Sequence, residues 1–372
     1  MRVWVAAAAV SVAMLAYAPC AEATFAGRAG GVVFELTGWD DSGVQFSNPP
    51  GANGEIGALS PGSNRVQALL SCSPAVNGGC EAADPSGAGQ LCASAPGSPC
   101  LDDSRPSFSP DGQRIVFGDD PCAQRYCRRI TLINADGSGE TQLPALTADD
   151  AQPAFLPGGN LVFAGRAVSA AIQNLYTVSA SGSGLRRLTS GGGSEPAPCA
   201  DGAIVYVVRG DLWLMSAGDR ARRRLTFRGA SWPDCSPAGR QIAFLRDRDL
   251  YVINRSGKGL RRLTYHQVAA EAPAFSPDGR LIALASDHKP SKYWPPLNTD
   301  GYCSNGVCTG IYTNVYLQVI DLGGNERRKP VYLGNTGADQ DGFPWATDPG
   351  GVDWQPLVAS SSSIARGAAP AG

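Results

Sequence analysis

Histidine and methionine are nearly missing from this chain: two of the first and three of the second in 372 residues. A metal-dependent hydrolase or lyase draws on several imidazoles, or on imidazoles beside clustered carboxylates. Here only His266 and His288 are available for either task. There is no Gly-x-Ser-x-Gly segment, which excludes the nucleophile-elbow hydrolases. The acidic residues nowhere take the spacing of a helix-loop-helix calcium loop. Charged side chains reach 17% and sum to −2, so neither a nucleic-acid surface nor a strongly anionic protein is implied. The one extended apolar run, from Val3 to Ala18, is short for a membrane span.

Glycine (46) and proline (28) are abundant, which suits many short strands joined by turns better than helices. The apolar run follows Arg2 and precedes Ala21-Glu22-Ala23, the small-x-small form of a signal-peptidase site. Residues 1–23 are therefore expected to be a cleaved signal peptide, with no transmembrane segment after its removal. Cys20 suggests a lipid anchor instead, but Tyr17-Ala18-Pro19 ahead of it departs from the small-residue pattern that lipidation needs. The expected location is secreted, periplasmic or cell-envelope.

Removing Cys20 with the signal leaves ten of eleven cysteines, an even number that favours disulfides in an exported chain. Cys122 with Cys127 and Cys303 with Cys308 are close in sequence, and neither pair has the further ligands a zinc site requires. Cys72, Cys80, Cys92 and Cys100 form a local group with three ways to pair. Cys199 and Cys235 are left for each other.

A repeat organises the chain. Glu271-Ala-Pro-Ala-Phe-Ser-Pro-Asp-Gly-Arg-Leu-Ile-Ala-Leu284 reads as a strand, a tight turn and a second strand, and Arg105 to Phe117 says the same. Looser copies stand at Gln152-Pro-Ala-Phe155, Glu195-Pro-Ala-Pro198 and Trp232-Pro-Asp-Cys235, with a worn one at Val352-Asp-Trp-Gln-Pro356. The opening prolines (106, 153, 196, 233, 273) step at the span of a four-stranded propeller blade. Third and fourth strands follow in each unit, as in Asp249-Leu-Tyr-Val-Ile-Asn254 and Gly259-Leu-Arg-Arg-Leu-Thr264. Gly30 to Leu36 lacks a first strand, and Val352 to Pro356 lacks a second. Joining them completes one blade from both termini and closes a six-bladed, all-β ring over residues 24–358. Residues 359–372, rich in Ala, Ser and Gly, are expected to be a disordered tail.

These units resemble the TolB-type propeller repeat, a relative of the WD-type repeats, in their Pro-x-Phe-Ser-Pro-Asp-Gly and Arg-Arg-Leu-Thr signatures. The resemblance covers nearly the whole mature chain and implies a fold far more than a function. The α/β domain that precedes the propeller in TolB is matched by no segment here.

In a propeller, connections after second and fourth strands emerge on one face. All long irregular stretches belong to that set: 37–54, 71–103, 118–128, 286–314 and 334–350. The opposite turns stay tight, at Asp111-Gly112, Asp136-Gly137, Gly158-Gly159, Ser256-Gly257 and Asp278-Gly279. Long loops on one side of a rigid scaffold are where binding usually sits. That face collects Asp40, Asp41, Asp102, Asp103, Asp119, Asp120, Asp149 and Asp150, with Glu195 and Glu271 just before inner strands. These acids are solvated loop and turn residues, or an acidic mouth for a basic partner or a cation such as Ca²⁺. Trp39, Trp232, Tyr293, Trp294, Tyr302, Tyr312 and Trp345 lie in or beside the same loops, either packing them or forming a platform for carbohydrate or peptide. Paired arginines on the outermost strands read as edge protection, not as a nucleic-acid stripe.

The expected function is a non-catalytic exported scaffold that takes a protein or peptide partner through this face, without a cofactor. The alternative is a secreted carbohydrate-active lyase or hydrolase, in which His266, Glu271, Asp287 and His288 converge. A third option is a domain that only spaces an envelope assembly.

Overall fold

The computed structural model describes residues 28–37, 54–61, 66–69, 73–74, 80–81, 104–119, 128–168, 170–218, 221–265, 270–286, 302–304, 307–309, 313–328, 330–338, 344–345 and 352–357. Among them there is no helix, and so none able to cross a membrane. The expected signal segment 1–23 and tail 359–372 lie outside the described residues.

Six antiparallel sheets form the blades of a propeller. Blade 1 runs outward as Val352–Leu357, Arg28–Thr37, Gly54–Leu59 and Val66–Ala68. Blade 2 is Ser104–Phe108, Arg114–Asp119, Arg129–Asn134 and Thr141–Gln142. Blade 3 is Asp149–Phe155, Leu161–Arg166, Asn174–Val178 and Arg186–Arg187. Blade 4 is Ser194–Pro198, Ile204–Val208, Asp211–Met215 and Arg222–Arg224. Blade 5 is Ser231–Cys235, Gln241–Arg246, Asp249–Asn254 and Arg261–Arg262. Blade 6 is Ala270–Phe275, Leu281–Ser286, Thr313–Asp321 and Val331–Ala338, extended by Pro344–Trp345. The ring closes as expected: Val33 faces Asp353 and Val32 faces Trp354 across an antiparallel ladder of the two chain ends.

Packing follows from the doubly apolar second strands. Phe34, Phe117, Phe163, Tyr206 and Phe244 occupy one repeat position and are all buried between neighbouring blades. The inner strands add Phe108, Phe155, Phe275 and Trp354 at another repeat position, where blades 4 and 5 have Pro198 and Cys235 instead. That gap is where Cys235 and Cys199 form a disulfide, with Cα atoms 5.4 Å apart. A covalent link therefore joins the two blades that lack the large inner-strand ring. Glycines at the tight turns hold positive φ, as at Gly112 and Gly279 (68° and 69°), where an L side chain is strained.

The outermost arginines do more than guard an edge. In blade 5, Arg262 pairs with Asp249, the Thr264 hydroxyl donates to the same carboxylate, and the Leu250 N–H donates to Thr264 Oγ1 at 2.8 Å. Arg224, Asp211, Thr226 and Leu212 repeat this set in blade 4. Blade 3 keeps the threonine half of it, with Asn174 in place of the aspartate, while Arg187 donates to the Thr189 carbonyl of its own segment. In blades 4 and 5 the second arginine of Arg-Arg-Leu-Thr is thus tied to the strand inside it. Asp249→Asn should cost under about 1 kcal/mol in urea unfolding, since an amide oxygen still accepts from the Thr264 hydroxyl, as Asn174 does from Thr189, and Arg262 is partly exposed. Asp249→Leu should cost about 2–3 kcal/mol by stranding Arg262 and the Thr264 hydroxyl. Equal losses in the two variants would show that the network carries no weight.

Candidate functional site: the channel mouth

In blades 2 to 6 the inner strand carries a residue before proline, and in all five that residue has a left-handed backbone. The φ angles are 59° at Arg105, 56° at Gln152, 52° at Glu195, 55° at Trp232 and 32° at Ala272. For non-glycine residues this costs about 1–2 kcal/mol each. At the same point each ladder slips by a β-bulge, as between Ser194 and Ala197 or Ser231 and Asp234. The bulge turns the residue before proline out of the ladder and into the central channel. The lumen encloses about 120 Å³ and is lined by these residues, the prolines after them, and Val352, Asp353 and Trp354.

Side chains at this position hand on from blade to blade. Gln152 Oε1 accepts the Glu195 N–H at 2.7 Å, and Glu195 Oε2 accepts the Trp232 N–H at 2.5 Å. At these two bulges the N–H of the residue before proline finds its acceptor on the preceding blade. Trp232 then meets Arg105 from the blade directly opposite, with the guanidinium carbon 3.0 Å from the ring centroid. A cation–π contact therefore crosses the channel. At this position blade 6 has only the methyl of Ala272, so the long side chains that meet in the lumen come from blades 2 to 5.

One step further down the same strands, two carboxylates bond the blades together. Asp234 accepts the Phe275 N–H at 2.6 Å, linking blade 5 to blade 6. Asp353 accepts the Phe108 N–H at 2.7 Å, linking blade 1 to blade 2, and also the Trp354 N–H at 2.8 Å. Burial in the channel wall raises the Asp353 carboxyl to about 7, against the pull of the Phe108, Trp354 and Ser107 hydrogen bonds.

Of the acids and aromatics expected on this face, the structure brings Glu195 and Trp232 together at the channel mouth. Asp149 and Asp150 are fully buried. Asp149 takes two bonds of 2.9 Å from the Arg128 guanidinium; burial opposes its charge, but Arg128 and Arg166 hold its carboxyl below the ordinary value. Asp150 caps the turn before it by accepting from the Leu146 and Thr147 N–H groups and the Thr147 hydroxyl, and burial raises its carboxyl. Both carboxylates are committed inside the protein and do not face the channel mouth. Asp119, Glu271, Tyr302 and Trp345 are placed by backbone alone, in the second strand of blade 2, the inner strand of blade 6, the short pair Tyr302–Ser304 with Val307–Thr309, and the strand Pro344–Trp345. Asp40, Asp41, Asp120, His266, His288 and Trp294 lie outside the described residues, as do Cys72, Cys92, Cys100, Cys122 and Cys127. Cys80 starts a two-residue strand paired with Ser73–Pro74. Cys303 and Cys308 are backbone partners in the ladder of their two short strands. Among the described residues no three His, Cys, Asp or Glu side chains group as a metal site.

Arg105, Gln152, Asp234 and Asp353 were not among the expected site residues. A signal for the first two is present in the repeat itself. The residue before proline changes from Arg to Gln, Glu, Trp and Ala, while the proline after it stays the same. Variation at one position of an otherwise regular repeat marks a place that packing does not dictate.

No family model matches the chain, and neither does any curated protein. Solved structures do. TolB from Acinetobacter baumannii superposes with a TM-score of 0.56 at 15% identity, over 88% of this chain and 67% of that one. A putative TolB from Agrobacterium tumefaciens gives 0.52 at 15% identity, over 89% of this chain and 99% of that one. A chain of a nidogen/laminin complex gives 0.51 at 12% identity, over 83% and 98%. At these identities the likeness establishes the propeller and nothing finer.

Proposed function

We propose that this chain is an exported, non-catalytic binding scaffold, a TolB-like propeller of residues 24–358 behind a cleaved signal, that engages a protein or peptide partner around the channel mouth. The observation that carries this is the asymmetry between the two ends of the ring. Every connection of ten residues or more between described strands of blades 6, 1 and 2 leaves after a second or fourth strand, and so from the end where the inner strands begin. Rigid elements thus hold Arg105, Glu195 and Trp232 at the centre of the elaborated face. Those side chains are locked by one another, which suits a preformed recognition surface. The Cys199–Cys235 bridge supports an oxidising compartment, secreted or periplasmic. In the nidogen/laminin complex a chain of similar shape belongs to a protein–protein assembly.

The carbohydrate-active alternative gains nothing from the described acids, since Asp149 and Asp150 serve structural bonds and Glu195 serves the Trp232 N–H. A direct test is cross-linking and capture from the exported fraction of the source cells. One variant shortens the connection 38–53 to Asn-Gly; a second carries Arg105→Ala and Trp232→Ala. Loss of one specific protein in both, with unchanged melting of the loop variant, is the expected result. Retention of the same protein by both variants would remove this face from consideration.

A further inference from the structure

The elaborated face is not uniform, and its low side has a distinct chemistry. Blades 4 and 5 join their second and third strands by two-residue turns, Arg209-Gly210 and Asp247-Arg248. Arg209 and Arg248 stand at those tips with φ of 50° and 64°, and both are exposed. Just behind them, the residue after each Arg-Arg-Leu-Thr is an exposed ring: Phe227 at 69% and Tyr265 at 59%. Each ring lies against an arginine already fixed by an aspartate, Arg224 at 4.5 Å from Phe227 and Arg262 at 4.6 Å from Tyr265. Arg246 reaches across from blade 5 and donates to the Gly229 carbonyl at 2.8 Å, which anchors the segment that carries Phe227. On blade 3 the same side continues with exposed Val168 and Ile172.

Charge is segregated along with these rings. Residues 186–265 hold fifteen Lys and Arg against seven Asp and Glu, a net of +8, while the whole chain stands at −2. The remainder therefore carries −10. Within this count the outer strands of blades 3 and 4 hold exposed Arg186, Arg187, Arg222 and Arg223, the last of them bonded to the Arg255 and Ser256 carbonyls at the opposite end of blade 5. Exposed aromatic rings propped by guanidinium groups, inside a cationic field, form a surface that rewards both carboxylates and apolar anchors.

We infer that the upper rim of blades 4 and 5, centred on Arg209, Phe227, Arg248 and Tyr265, is a docking surface for an acidic polypeptide segment that carries apolar side chains between its carboxylates. The inference rests on the binding-scaffold reading and names the chemistry of the partner, which is opposite to the basic partner that the loop acids suggest. Charge complementarity selects an acidic occupant. A uniformly charged polymer such as a nucleic acid fits less well. Exposed Asp247 interrupts the positive field at one hairpin tip, and the arginines under the rings are already paired with Asp211 and Asp249. The rings then reward apolar contacts that a polyphosphate backbone lacks.

The test uses the full mature chain and three probes: a peptide alternating Glu with Leu and Phe, the same peptide with Lys for Glu, and an oligothymidylate. Two double variants accompany them. Arg209→Asn with Arg248→Asn keeps residues that tolerate a left-handed backbone. Phe227→Ser with Tyr265→Ser removes the rings. The acidic peptide should bind and weaken as salt rises, and each double variant should lose on the order of tenfold in affinity. Unchanged binding by both variants, absence of binding by the acidic peptide, or tighter binding of the lysine peptide or the oligothymidylate would each overturn the inference. So would a dimer in sedimentation that the arginine variant dissociates, because the occupant would then be a second copy. The scaffold reading fails separately, through the loop variant and the channel variant described above.

Discussion

Replacing Cys199 and Cys235 together by alanine is expected to lower the unfolding free energy by about 4 kcal/mol. The bridge closes a sequence separation of 36 residues, which is one whole blade. In the chain-entropy account, cross-linking over that separation removes conformations from the unfolded chain and leaves the native contacts alone. Both cysteines are fully buried, so alanine also loses a little packing. The position makes the loss more than an entropic one. Pro198 and Cys235 stand where four other inner strands place Phe or Trp, so the interface of blades 4 and 5 has less ring area to fall back on. Urea unfolding of the oxidised protein, its reduced form and the double variant measures the effect. The reduced protein and the double variant should fall together, and a loss under about 1 kcal/mol in either would mean the blades hold without the bridge.

The second large effect concerns pH and Asp353. Its folded-state carboxyl is raised to about 7 from 3.8, so the native protein binds more protons than the unfolded chain between those values. The sign follows directly. A raised carboxyl contributes stability that is fully present below the unfolded value and is lost as pH climbs through the folded one. Stability from this group should therefore decline from about pH 4 to about pH 7, by up to about 4 kcal/mol. Asp150 is raised as well and adds to the decline. Asp111, Asp149, Asp201 and Asp321 are lowered, and their contributions vanish on the acid side instead. The result is a stability maximum on the acid side of neutrality. Asp353→Asn keeps a side-chain oxygen for the Phe108 N–H and removes the titration. Its urea midpoint should fall much less from pH 5 to 8 than that of the unmodified protein, with Asp150 supplying what decline remains, and superimposable profiles would sink the assignment. The physical consequence is specific: ionisation at Asp353 places a charge in the wall that joins blade 1, the blade built from both chain ends, to blade 2.

Several features of the site were legible beforehand for local reasons. Glu195 and Trp232 precede prolines in the repeat, and their place at the start of inner strands put them on the correct end of the ring. Their function in the channel was not legible. The left-handed backbone at a bulky residue before proline has no residue-type signature; proline itself favours extended backbone ahead of it. Only the crowding of six inner strands around one axis turns those residues inward. Asp149 and Asp150 show the reverse error. Their pairing in sequence looked like loop acidity, yet Arg128, twenty-one residues before Asp149, and Thr147, three before Asp150, reclaim them for the interior. The Arg-Arg-Leu-Thr segments were read as edge protection because an outer strand is exposed, and the aspartate that binds the second arginine sits thirteen residues earlier.

The sequence by itself determined the blade count, the shared closing blade and the sorting of long and short connections to opposite ends. Each of those depends on local chemistry repeated along the chain, in turn residues, alternation and the spacing of prolines. The tertiary structure alone decided which side chains meet across the lumen, which carboxylates are buried, and that Phe227 and Tyr265 stand exposed on the blades whose hairpin tips carry Arg209 and Arg248. Those outcomes require residues a third or a half of the chain apart to be brought to one axis, and no pattern within a single repeat specifies its neighbour across the channel.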